Sequence, residues 1–104
     1  MTIRPTWFNF SIAQYHFDRG EYEAALAAAR KINIPGHFWP QIYLAAIYGA
    51  LGRQSEARSA VEELLRLYPG FTTETYVEEA RKWNVPDDTI GRWVEALRKA
   101  GLPE

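Results

Sequence analysis

Two stretches of the chain repeat each other. GEYEAALAAARKI (20–32) and GRQSEARSAVEEL (52–64) both open on glycine, and both place an alanine five residues later, Ala25 and Ala57. With Gly20 set on Gly52, 32 residues on, Ile12 falls on Leu44, Ala13 on Ala45 and Ile32 on Leu64. The match covers a helix-like segment on each side of the glycine. Self-similarity at this period constrains the fold more than any composition figure. A unit so small cannot bury its own apolar face, and stacking on a neighbour is what buries it.

The segments between breaks read as helices. Residues 6–18 carry Trp7, Phe8, Phe10, Ile12, Tyr15 and Phe17, too many apolar residues for a simple surface helix. Gly20 allows a sharp turn, and the alanine-rich 21–32 is helical by propensity. Pro35 and Gly36 stop it. Pro40 lies near the start of a third helix, where a missing N–H costs little. That helix runs to about residue 51, and 55–67 forms the fourth. Thr72 or Thr73 caps a fifth, to about residue 83. Asp87 and Asp88 suit the N-terminus of a sixth, and Gly101 ends it near Ala100. No segment alternates with a period of two, so no sheet is expected. Six helices with short turns make three hairpins, at 6–35, 38–69 and 72–101, within one domain spanning 1–104. The expected fold is all-α: a right-handed superhelical stack of three helical hairpins.

Composition bounds the chemistry. The chain has 104 residues and a formal net charge of −1, from twelve basic and thirteen acidic side chains. It lacks the basic excess of a nucleic-acid binder. With no cysteine it has no disulfide framework, thiol nucleophile or thiolate metal site. No apolar run approaches the roughly 20 residues of a bilayer span, and MTIRPTWFNF lacks a signal peptide's continuous apolar stretch. A soluble, cytoplasmic protein is expected. Fifteen residues are Phe, Trp or Tyr. Such rings either fill a thin core or line a surface that binds something.

The second unit resembles a tetratricopeptide repeat, a helix–turn–helix of about 34 residues. Leu44, Ala45 and Tyr48 match its bulky–small–tyrosine spacing. Gly52 matches its turn, Ala57 and Val61 its second helix, and Pro69 its closing proline; Gln41 stands where a tryptophan is usual. Small residues at Ala45 and Ala57 let two antiparallel helices approach, and larger neighbours fill the space beside them. The first unit matches through Ile12, Ala13, Gly20, Tyr22, Ala25 and Ile32, with His16 in the tyrosine position. The third is degenerate: Tyr76, Ala80 and Trp83 keep a first-helix spacing, but Pro86 and Asp87 stand where the turn glycine belongs. Its last helix reads as a solubilising cap with an apolar stripe of Ile90, Val94 and Leu97. More closely, NIPGHFWPQIYLAAIYGALGR, LLRLYPGF, RKWNVPDD and LRKAGLPE resemble the C-terminal repeat segment of bacterial adenylate/guanylate-cyclase-type signalling proteins. Some bacterial transcriptional regulators carry similar tails. That resemblance implies a separated C-terminal fragment of a larger protein.

No catalytic constellation can be assembled, so no catalytic residue, metal site or cofactor is expected. His16 and His37 are the only histidines. His16 reads as structural, and His37 as a solvated loop or cap residue. Asp87-Asp88 reads as a helix start rather than a carboxylate pair. Gly49, inside a helix, marks either a close helix approach or a bare patch in a groove.

Binding is the better candidate. The repeat resemblance implies a concave groove lined by the first helix of each unit. It places Trp7, Phe10, Gln14 and Phe17 there from the first unit, and Trp39, Ile42, Ala46 and Gly49 from the second. The third contributes Tyr76, Ala80 and Trp83 in one register, or Val77 and Arg81 in the next. The groove lacks the Lys/Asn/Arg set with which some relatives clamp a terminal carboxylate. The expectation is a non-catalytic protein–protein interaction module that binds a protein segment or self-associates, with no nucleic acid or membrane as partner. The alternative is a structural C-terminal element that packs on its own cyclase or regulator domain.

Overall fold

The computed structural model of the protein describes residues 8–32 and 37–104. They form six α-helices: α1 (Phe8–Asp18), α2 (Tyr22–Arg30), α3 (Trp39–Leu51), α4 (Gln54–Leu67), α5 (Thr73–Lys82) and α6 (Asp87–Ala100). No strand occurs among the described residues. Each lies close to its expected bounds. The expected start of α1 at Thr6 and the stop at Pro35-Gly36 fall outside the described residues.

The repeated glycines do the same work twice. Gly20 and Gly52 both take φ +78°, the left-handed conformation glycine adopts without a steric penalty. Glu21 N–H then bonds His16 O at 2.8 Å, and Arg53 N–H bonds Tyr48 O at 3.0 Å. Each turn folds the next helix back on the last. The four alanines at the crossings, Ala13, Ala25, Ala45 and Ala57, are fully buried, so the pairs α1/α2 and α3/α4 are in close contact. Packing of α2 on α3 joins the two hairpins, an arrangement compatible with a layered stack.

α5 starts with a reciprocal cap. Thr72 Oγ1 accepts from Thr75 N–H, and Thr75 Oγ1 accepts from Thr72 N–H, both at 3.2 Å. It ends without a glycine. Asn84 takes the left-handed turn (φ 59°) instead, which a short polar side chain tolerates. Val85 N–H bonds Ala80 O and Asn84 N–H bonds Arg81 O, each at 3.1 Å, the bonding pattern that commonly closes a helix. Asn84 thus supplies the turn residue that the repeat pattern expects at Pro86-Asp87.

The third pair meets the others through α6. α3 carries no charged residue and is apolar on every side, as a helix surrounded by protein must be. Besides α4 and α2 it is packed by α6, more extensively than α5 packs on α6. The reading of α6 as a solubilising cap is therefore incomplete. Ile90, Trp93, Ala96, Leu97 and Ala100 are buried and Val94 is only partly so. Trp93, absent from the expected stripe, is the largest fully buried side chain. Its ring centroid lies 4.2 Å from that of Phe17 and 4.6 Å from that of Tyr43, which ties α6 to α1 and α3. Gly49 marks a close helix approach. A Cβ there would run into the Ala96 carbonyl oxygen and stand 3.1 Å from Ala100 N.

The chain's end is also tied down. Thr73 N–H bonds Pro103 O at 2.9 Å, and Leu102 and Phe71 are buried. No helix among the described residues is long and apolar enough to cross a membrane.

Candidate functional site

α1 and α5 stand apart over the N-terminal half of α3, leaving a cleft of about 580 Å³. α1 contributes Phe10, Ser11 and Gln14 to its lining. Trp39 and Tyr43 come from α3, and Tyr76 and Ala80 from α5. The turn after α5 brings Trp83, Asn84, Val85 and Pro86 to the opposite rim. Among the described residues no Asp, Glu, Lys or Arg lines it.

The rings hold one another by their edges. Phe10 meets Tyr43 at 4.9 Å and 65°, while Trp39 meets both Tyr43 and Tyr76 at 6.5 Å and 73°. Such edge-to-face pairs are favourable arrangements for aromatic quadrupoles. Beneath them Tyr43 and Tyr76 touch Trp93, so the cleft wall continues into the core. Trp83 is the exception: it is 72% exposed, the most exposed large apolar side chain among the described residues.

Polar groups in the cleft are neutral and partly committed. Tyr43 Oη donates to Gln14 Oε1 at 3.4 Å. Burial pushes the Tyr43 and Tyr76 phenols well above the ordinary tyrosine range, with the negative charge of Asp18 adding to both. They therefore stay protonated as hydrogen-bond donors. His37 Nδ1 accepts the Trp39 N–H at 3.2 Å, a bond to the first amide of α3.

Below the cleft one acidic group is awkwardly placed. Asp18 Oδ1 and Trp93 Nε1 are both buried, and neither completes a hydrogen bond of ordinary geometry among the described residues. Arg92 Nη2 lies 3.7 Å from Asp18 Oδ1 and bridges α6 to α1. Burial raises the carboxyl above its ordinary value, against the pull of Arg92 and the Trp93 indole.

The structure divides the expected groove residues. Phe10, Gln14 and Trp39 are half-buried and come together in the cleft. Phe17, Ile42 and Ala46 are 3%, 0% and 0% exposed, and these three belong to the core. The reason is α6: its Trp93 covers Phe17, and its close packing at Gly49 closes the C-terminal half of α3. Gly49 is sealed by the same contact. Trp7 lies outside the described residues. Of the two registers for the third unit, the structure places Tyr76, Ala80 and Trp83 in the cleft, and neither Val77 nor Arg81.

Sequence reasoning missed Ser11, His37, Tyr43 and the loop Asn84–Pro86 as lining residues. The signal for the loop was the asparagine after Trp83, a residue that can turn left-handed where glycine is missing. His16 Nδ1 is 2.8 Å from Glu21 Oε1 across the first turn. Asp87 and Asp88 occupy the first turn of α6, with Asp88 3.6 Å from Arg92. Among the described residues no three His, Asp or Glu gather as metal ligands would. Comparisons with protein-family models, curated proteins and solved structures find no match to this chain.

Proposed function

We propose that the protein is a non-catalytic interaction module, a member of the tetratricopeptide-repeat type, that binds a protein segment in the cleft between α1 and α5. The observation that carries this reading is Trp83, 72% exposed on the rim of a cleft of about 580 Å³ floored by four aromatic rings. A solvated indole next to an apolar concavity is the composition of a binding hot spot, and the volume falls in the range of ligand sites, roughly 300–1,000 Å³. The net charge of −1 offers no footing for a phosphate backbone. The resemblance to C-terminal repeat segments of bacterial cyclase-type proteins puts such a module in a cytoplasmic signalling protein, where it would localise or relay an output.

The test is selection of peptides from a displayed random library on the purified chain, followed by titration of the selected peptides against wild type and Trp83→Ser. The expected result is binding that Trp83→Ser weakens at least roughly tenfold while the melting temperature stays put. Peptides that bind both forms alike, or no enrichment together with a concentration-dependent dimer by sedimentation, overturn the reading.

A further inference from the structure

One histidine stands in the lining with a bond that only its uncharged ring can make. We propose that His37 makes the cleft pH-sensitive: unprotonated at Nδ1, it holds the Trp39 amide and with it the α3 wall, and on protonation it lets that amide go and sets a positive charge among the aromatic rings. The switch stands on the geometry of the turn before α3. Its consequence for binding rests on the reading of the cleft as a protein-segment site.

The first turn of α3 explains why one bond matters. Pro40 has no N–H. The Gln41 and Ile42 N–H groups both bond Phe38 O, at 3.1 and 3.3 Å. Trp39 alone among residues 39–42 has its amide held by a side chain, His37 Nδ1 at 3.2 Å. The Trp39 ring lines the cleft and meets Tyr43 and Tyr76 edge-on, so the backbone held by this bond carries one of the cleft's walls.

Protonation decides the bond. An imidazole nitrogen accepts only while it carries no proton; with both nitrogens protonated, Nδ1 is a donor facing a donor. Histidine is also the side chain that ordinarily changes charge between about pH 5 and 8. The new charge would sit at the N-terminus of α3, where the helix dipole disfavours a cation. No carboxylate answers it, since among the described residues no Asp, Glu, Lys or Arg lines the cleft. The titratable neighbours are the buried phenols of Tyr43 and Tyr76, which stay neutral, and Tyr68 behind Phe38.

The His37 ring also lies flat on Phe38, with centroids 5.2 Å apart at 17°. A cation is at home on a ring face as well, so the stack does not separate the two forms; the bond to Trp39 does. An apolar segment entering the cleft would have to cover the imidazolium without a counter-charge. Uncharged segments should therefore bind less well in acid.

The experiment follows the full ¹⁵N-labelled chain by NMR from pH 8 to pH 5, as wild type and as His37→Asn. His37 is exposed, so the variant loses no core contact. An asparagine oxygen can take the same amide two residues on, in an Asx turn, without titrating. In wild type the Trp39 amide signal should move with the midpoint of the His37 ring signal, and its protection from hydrogen exchange should fall at least roughly threefold below that midpoint. In His37→Asn both should hold still. The binding probe is a capped peptide selected from a library without Asp, Glu, His, Lys or Arg. Its affinity should fall roughly three- to tenfold from about pH 7.5 to pH 5 in wild type, and by less than about twofold in His37→Asn. If Trp39 fails to follow His37, or takes the same course in His37→Asn, the switch is wrong whatever binds. If Trp39 follows His37 but the peptide binds alike at both pH values, the inference fails as a control on the cleft and the interaction module stands. If Trp39 follows His37 and no library peptide binds at either pH, the switch stands and the interaction module falls.

Discussion

Gly49 of α3 and Ala100 of α6 set the closest approach of two helices: a Cβ on Gly49 would lie 3.3 Å from the Ala100 Cβ and would strike the Ala96 carbonyl oxygen. Backbone cannot step aside as the end of a flexible side chain can. Gly91, on α6, has nothing within 4 Å of the same imagined atom. Two glycines inside helices therefore carry opposite expectations. Gly49→Ala should destabilise the fold by about 1–3 kcal/mol through overpacking, although alanine is the better helix former. Gly91→Ala should stabilise it by about 0.5–1 kcal/mol. Urea denaturation of the two variants checks both signs.

Groove and core aromatics separate by the same kind of measurement. Phe17→Ala removes a ring packed at a tilt against Trp93 and should cost about 3–5 kcal/mol, enough to unfold much of a small domain. Trp83→Ser removes an exposed ring and should change stability by less than about 0.5 kcal/mol. Equal losses for both would place Trp83 in the core.

The partly buried carboxyl of Asp18 makes stability depend on pH with a definite sign. Desolvation by burial raises the Asp18 carboxyl above its ordinary value in the folded state, so folding favours its protonated form. The stability it contributes is complete below the unfolded value and is lost as pH rises through the raised folded value. Asp18→Asn, which mimics the protonated group, should melt higher than wild type at pH 7, and the gap should close towards pH 3. A variant less stable than wild type at pH 7 would show that the Arg92 pair outweighs burial.

The last three residues act as a clasp on the start of α5. Leu102 is 3% exposed, and Pro103 O takes the Thr73 N–H at 2.9 Å. Leu102→Ala should cost about 2–5 kcal/mol. Removing residues 102–104 should also free the Thr73 amide to exchange with solvent, which hydrogen-exchange NMR reads directly.

The sequence by itself determined the helices and the first two hairpins, because local chemistry sets them. Gly20 and Gly52 each supply a left-handed turn, Thr72 a cap, Gly101 a stop, and Ala13, Ala25, Ala45 and Ala57 the small surfaces on which antiparallel helices close. Those signals lie within a few residues of what they control. It also brought Phe10, Gln14 and Trp39 to one face, where the structure has a cleft, with Tyr76, Ala80 and Trp83 in one of two registers. Only the tertiary structure decided where α6 goes. Its apolar stripe could have faced solvent-side neighbours or the groove, and no local signal distinguishes them. Once Trp93 packs against Phe17 and Tyr43, and Ala96 and Ala100 against Gly49, Phe17, Ile42 and Ala46 are core, and what remains open is the shorter cleft under Trp83. Burying Trp93 removes a large apolar area from water, and that contact is made between residues some 50 to 75 positions apart in the chain.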